Sequence, residues 1–176
     1  GTYGIAIKNL KTGETYYSNE HRVFQPGSLY KLWIMAETYK QIESGQILPD
    51  EILTNTIEQL NTDFGIPPET AELTEGTITL SVHDALEQMI TISHNYAAFL
   101  LIERTKISST LSQTTASEVA VFLEKLYKEG GEPIALLKRQ QLNEITPKYL
   151  PENIEVAHKT GIIDTFDNDA GIVYGP

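Results

Sequence analysis

The sequence predicts an α+β fold, an α/β sandwich in which an antiparallel sheet formed from both chain ends packs against a mostly helical region. Three observations predict it. Strand-like alternation lies at the two ends, helical periodicity fills the middle, and no internal repeat or low-complexity linker interrupts the 176 residues. That length, with 40% hydrophobic content, suits a single domain over residues 1–176 with a real core.

The elements follow in order. "TYGIAIKNLKTGETYYSN" reads as a hairpin: Tyr3, Ile5 and Ile7 alternate with smaller or polar residues, Lys11-Thr12-Gly13 turns, and Thr15 to Tyr17 returns. From about Ser28 to Ser44, Leu29, Leu32, Trp33, Ala36 and Tyr39 recur at helical spacing. Ile34 and Met35 widen that stripe, so the helix is expected to be buried on most sides, and Gly45 ends it. Ile47 to Thr79 holds Pro49, Gly65, Pro67 and Pro68 and reads as loop with short elements.

Ser81 with Asp84 resembles a capping box and opens a helix whose apolar face is Val82, Leu86, Met89 and Ile90. A break at Ser93-His94-Asn95 precedes the nearly all-apolar "YAAFLLIE". Thr115 and Glu118 make a second capping box before "VAVFLEKLY", which stops at Gly130-Gly131. "PIALLKRQQL" reads as one more amphipathic helix. "EVAHKTGIID" and "DAGIVYGP" read as strands joined by a turn over residues 164–169.

Composition excludes several functions. A net charge of −11 and pI near 4.7 oppose nucleic-acid binding, which needs a basic face. The chain has no cysteine, hence no disulfide, thiol catalysis or thiolate metal site. No apolar run reaches the length of a membrane span, and the opening Gly-Thr-Tyr reads as a trimmed start. His21, His83, His94 and His158 are scattered without HxH or HExxH spacing, so no metal and no cofactor are expected.

Three short motifs hold residues that suit chemistry. In "FQPGSLYKLWIMAETY", Ser28 is followed three residues later by Lys31 inside an apolar helix. A lysine there is partly buried, burial favours the neutral amine, and that amine takes a proton from a hydroxyl on its own helix face. The competing reading is an ordinary serine cap with a solvated lysine. In Ser93-His94-Asn95 the bland reading is a polar turn with Asn95 as helix cap, and the functional one is a proton relay at Ser93 with a ligand-facing amide at Asn95. Lys159-Thr160-Gly161 sits in an apolar strand, where a lysine is a misfit unless it faces a cleft. Glycine in a strand marks close approach of another backbone or a ligand, whereas an edge strand with a protective lysine is the alternative.

Jointly, in the order SxxK, SxN and KTG, the motifs carry more weight than any one of them. With the opening hairpin, "TITLSVHDALEQMITISHNYAAFLL", "TTASEVAVFLEKLY", "LLKRQQL" and "VAHKTG", the chain resembles a class A β-lactamase-like serine hydrolase of the penicillin-recognising β-lactamase/DD-peptidase superfamily. The resemblance implies that Ser28 is the acylated nucleophile, Lys31 its base, and Ser93 a proton relay to the lactam nitrogen. Asn95 would hold the substrate's side-chain amide and Lys31, while Lys159 and Thr160 bind its carboxylate. Gly161 completes the triplet, and the N–H groups of Ser28 and Ile162 would form the oxyanion hole. The implied activity is acylation by β-lactams followed by hydrolysis. The rival is a penicillin-binding DD-peptidase acting on peptidoglycan stem peptides with slow deacylation, and a third reading is a non-catalytic sensor module. The resemblance also implies a location outside the cytoplasm, secreted, periplasmic or at the cell surface.

The chain departs from the family in three places. His94 stands where aspartate is common. Between Arg104 and Thr114 there is no room for the long loop whose glutamate activates the deacylating water, so part of a loop near 105–113 is expected to be missing. The family's terminal helices are absent as well, and the sequence is expected to be part of a longer chain.

Overall fold

A computed structural model describes residues 1–107 and 112–175. The chain divides into two compact units, Gly1–Tyr30 with Thr110–Pro176, and Lys31–Ser109. Helices and short antiparallel sheets are mixed as an α+β fold requires.

The first unit holds the strands of both chain ends. β1 (Ile5–Lys8) pairs antiparallel with β2 (Thr15–Ser18), Ile5 facing Ser18 and Lys8 facing Thr15. Its turn is built by Asn9, whose Oδ1 accepts the N–H groups of Lys11 and Thr12 at 2.9 and 3.1 Å. β3 (Val23–Phe24) pairs with β6 (Thr114–Thr115), which leads into α5 (Ala116–Glu129). The capping box is formed in both directions: Glu118 N–H donates to Thr115 Oγ1 at 3.1 Å and Thr115 N–H to Glu118 Oε2 at 2.9 Å. An ion pair of 2.7 Å between Lys8 and Glu124 ties β1 to α5.

α6 (Glu132–Leu137) is shorter than the helical pattern of "PIALLKRQQL" predicts. The side-chain oxygen of Gln140 accepts the N–H groups of Gln141 and Leu142 at 3.0 and 2.9 Å, which turns the backbone out of the helix. β7 (Glu155–Ile163) and β8 (Phe166–Tyr174) form a long hairpin running from Glu155 opposite Tyr174 to Ile163 opposite Phe166. Its turn is tighter than the 164–169 expected, because pairing continues through Asp167 and Asn168.

In the second unit α1 (Lys31–Glu43), α3 (Val82–Thr91) and α4 (Asn95–Thr105) pack around Leu32, Met35, Leu86, Met89, Ile90, Ala97 and Leu101, all buried. The loop-rich stretch contains β4 (Ile52–Thr56), α2 (Ile57–Asp63) and β5 (Thr77–Ser81). β4 and β5 pair antiparallel with Asn55 opposite Ile78. Ser81 caps α3 by accepting the Asp84 N–H at 3.0 Å. α4 ends with Lys106 in the left-handed region at φ 58°. Arg104 anchors that end, bonding Glu51 through Nε and Nη2 and the Gln46 carbonyl at 2.8 Å. The loop shortfall expected near 105–113 falls partly on residues 108–111, which lie outside the described residues. Among the described residues no helix is long and apolar enough to cross a membrane.

The helix expected from Ser28 begins at Lys31 instead, and Gly27–Tyr30 form a 3-10 turn ahead of it. Packing explains the tighter winding. Gly27 adopts φ 52°, and a Cβ on it would lie 2.7 Å from the Gly161 carbonyl oxygen of β7.

Candidate active site

In the first unit the 3-10 turn lies directly against β7. A Cβ on Gly161 would meet the Pro26 oxygen at 2.2 Å and the Leu29 nitrogen at 3.0 Å, so only glycine permits this approach. The sequence expectation for Gly161 is therefore met by a backbone neighbour. Asn168, which the sequence does not single out, staples the arrangement: its Nδ2 donates to the Gln25 carbonyl at 2.9 Å and the Gly161 carbonyl at 3.1 Å. Leu29 is buried beneath the turn and Ser28 is half-buried, so its hydroxyl is held on a rigid backbone within reach of a ligand.

Lys159 and Thr160 are buried on β7, and Ile162, at 51% exposure, emerges beyond Gly161. Lys159 Nζ donates to the Thr160 carbonyl at 2.9 Å. Burial pushes the Lys159 ammonium down to about 8, against the opposing pull of the Asp169 carboxylate. A poorly hydrated cation of this kind gains more from a ligand anion than a surface lysine does.

In the second unit, at the first position of α1, Lys31 is fully buried. Its Nζ donates to the Ser93 carbonyl at 2.6 Å, to Ser93 Oγ at 3.2 Å and to Asn95 Oδ1 at 2.6 Å. Each of these oxygens can accept a proton of the ammonium. Loss of one proton converts the same nitrogen into a base already aimed at a hydroxyl. Ser93 has φ 61°, a left-handed conformation that costs a non-glycine residue on the order of 1 kcal/mol. This turn directs both its carbonyl and its hydroxyl at Lys31.

Asn95 does not cap α4. His94 does, its Nδ1 accepting the Ala97 N–H at 3.1 Å, which corrects the bland reading of the tripeptide and explains why a histidine serves here. A ring nitrogen that accepts must be unprotonated. Burial lowers the His94 pKa; the nearby Glu72 carboxylate opposes that shift, and Lys31 adds to it. With the cap supplied by His94, the Asn95 amide is left to join Lys31 to Glu72, whose Oε1 accepts from Asn95 Nδ2 at 2.5 Å. Glu72 comes from the stretch read only as loop, and no local pattern marks it. Its neighbour Leu73 is pinned by Tyr96, whose hydroxyl donates to the Leu73 carbonyl at 2.9 Å and accepts its N–H at 3.1 Å.

Of the residues singled out in the sequence, Ser28, Lys159, Thr160, Gly161 and Ile162 thus gather in one unit, and Lys31, Ser93 and Asn95 in the other. Comparison with known proteins identifies the family and the fold. A family model described as a beta-lactamase enzyme family matches residues 1–176. The structure of PBP-A is similar with a TM-score of 0.80 at 22% identity, over 98% of this chain and 76% of that one. A beta-lactamase from Sphaerobacter thermophilus DSM 20745 matches with a TM-score of 0.80, also at 22% identity, over 98% and 78% of the two chains. An ancestral class A beta-lactamase matches with a TM-score of 0.78 at 18% identity, over 98% and 80%. No curated protein matches.

Proposed function

Because the chain belongs to the beta-lactamase enzyme family, we propose that it is a serine hydrolase that opens β-lactams through an acyl-enzyme. The observation that carries the reading is Lys31, a wholly buried amine bonded to Ser93 and Asn95 and three residues along the chain from the half-buried Ser28. Ser28 attacks the lactam carbonyl and Lys31 takes its proton. The N–H groups of Ser28 and Ile162 stabilise the oxyanion, and Ser93 hands a proton to the departing nitrogen. Asn95 receives the amide of the acyl side chain, and Lys159 with Thr160 receives the carboxylate. A place outside the cytoplasm belongs to the same reading.

Water must then release the acyl group. Residues 106–113 read "KISSTLSQ" and contain no carboxylate to activate it, which favours a second reading with slow deacylation, that of a penicillin-binding DD-peptidase. A mutant of the structurally similar PBP-A is itself known as an acyl-enzyme complex with penicillin-G. Mixing the protein with a chromogenic cephalosporin separates the two. Steady turnover supports the lactamase, and a stoichiometric burst with a stable mass adduct supports the penicillin-binding protein. Ser28→Ala is expected to abolish covalent labelling by a penicillin, as read by intact mass; labelling that survives would overturn the mechanism.

A further inference from the structure

Behind Lys159 lies a buried pair that the proposed chemistry does not use. The side chains of His158 and Asp169 are each 2% exposed, and His158 Nδ1 is 2.9 Å from Asp169 Oδ1. Successive strand residues face opposite ways, so His158 occupies the other face of β7 from Lys159. Room for its ring comes from Gly171, its partner on β8: a Cβ there would stand 2.4 Å from His158 Cβ. The ring then reaches diagonally to Asp169, which is in register with Thr160.

Oxygen atoms meet the ring at both of its nitrogens. Asp169 Oδ2 accepts the Thr146 N–H at 2.9 Å, and a carboxylate can only accept from Nδ1. Nε2 faces Asn143 Oδ1 at 3.0 Å, another acceptor. Each ring nitrogen thus faces an oxygen able to accept a hydrogen bond. The groups meeting the ring are Asp169 from β8 and Asn143 from the segment after α6. At the end of α6, Lys138 is engaged by Glu155 at 2.6 Å, and Lys159 lies across the strand within the field of Asp169.

We propose that His158 is held as an imidazolium and, paired with Asp169, is the positioning residue for Lys159. The pair clamps β7, β8 and the segment carrying Asn143 and Thr146 into one rigid backing. The imidazolium also balances the Asp169 charge that acts on Lys159, so less of that charge opposes a substrate carboxylate, and this second role rests on the acyl-enzyme reading above. No covalent step is involved.

Two measurements decide it. In protein labelled with 15N-histidine, long-range proton–nitrogen correlation is expected to show both His158 nitrogens protonated at pH 7. A bare Nε2 at that pH means that Asn143 presents its NH2 to the ring, and overturns the proposal. Second, His158→Gln is compared with the native protein using a penicillin and its neutral methyl ester. Misplacement of Lys159 by a fraction of an ångström is expected to slow acylation by the acid about tenfold to a hundredfold, with a much smaller loss for the ester. Equal losses for both would mean a merely structural role. If the native protein is acylated by neither compound, the acyl-enzyme reading falls, while the nitrogen spectrum still decides the charge of His158.

Discussion

Gly161 and Pro26 touch backbone to backbone: a Cβ on Gly161 would stand 2.2 Å from the Pro26 carbonyl oxygen. Through this contact the strand bearing Lys159 sets the position of the turn bearing Ser28, inside a single unit. Gly161→Ala must push the two apart, and neither atom is the end of a flexible side chain. The expected cost is about 3 kcal/mol of stability, read by denaturant unfolding. Penicillin labelling should fall more than stability does, since Ser28 moves with the turn. A variant that unfolds and labels like the native protein would contradict the contact.

The pH dependence of carboxylate recognition should follow Lys159. Its ammonium titrates near 8 instead of its ordinary 10.5. Acylation by a carboxylate-bearing β-lactam is expected to fall about tenfold per pH unit above that value, as the charge is lost. The effect on folding has the opposite sign. Below about pH 8 both folded and unfolded states hold the proton, and the cost of burying the ammonium is fully present. Between about 8 and 10.5 the folded state releases the proton first, so Lys159 by itself makes folding more favourable as pH rises. Acylation that stays flat to pH 10 would dismiss Lys159 as the anion site.

His94 makes a stability prediction. Replacing it with alanine removes the acceptor for the Ala97 N–H and should cost about 1 kcal/mol, while His94→Asp should keep most of the cap. Its pKa is lowered below the ordinary 6.5 by burial, so its contribution is present above pH 6.5 and is lost as pH falls through the lower folded value. Thermal unfolding of both variants at pH 5 and 7.5 checks this: the native advantage over alanine should shrink at pH 5.

Ser93 separates backbone strain from chemistry. Ser93→Gly and Ser93→Ala both remove the hydroxyl that faces Lys31, but only alanine keeps a Cβ at φ 61°. The glycine variant is expected to be more stable than the alanine variant by about 1 kcal/mol, with both similarly impaired in acylation. Identical melting temperatures for the two would place the strain elsewhere.

Much of this protein was legible locally. The Thr115–Glu118 capping box, the Ser81 cap, the apolar helices, the terminal hairpins and the three motifs follow from periodicity and side-chain chemistry over spans of a few residues. The family follows from those motifs taken in order. What escaped depends on contacts across long stretches of chain. β4 and β5 are short and pair across the intervening α2 and a loop, so neither shows itself alone. Glu72 acquires meaning only because Tyr96 pins Leu73, bringing the carboxylate to Asn95. Asn168 matters only because Gln25 and Gly161 meet at its amide.

By itself, then, the sequence determined which residues are chemically competent: a serine ahead of a buried lysine, a polar break between apolar helices, and a lysine and glycine on a core strand. Those are properties of residue type and local spacing. Only the tertiary structure decided what each would be. Packing against β7 wound the turn at Ser28 into a 3-10 helix. The left-handed turn at Ser93 gave Lys31 its acceptors, and His94 took over the cap and released Asn95. Asp169 and Asn143, distant in the chain from His158, surrounded its ring with acceptors. Burial and hydrogen bonding depend on neighbours that folding brings together, and no local pattern specifies those neighbours.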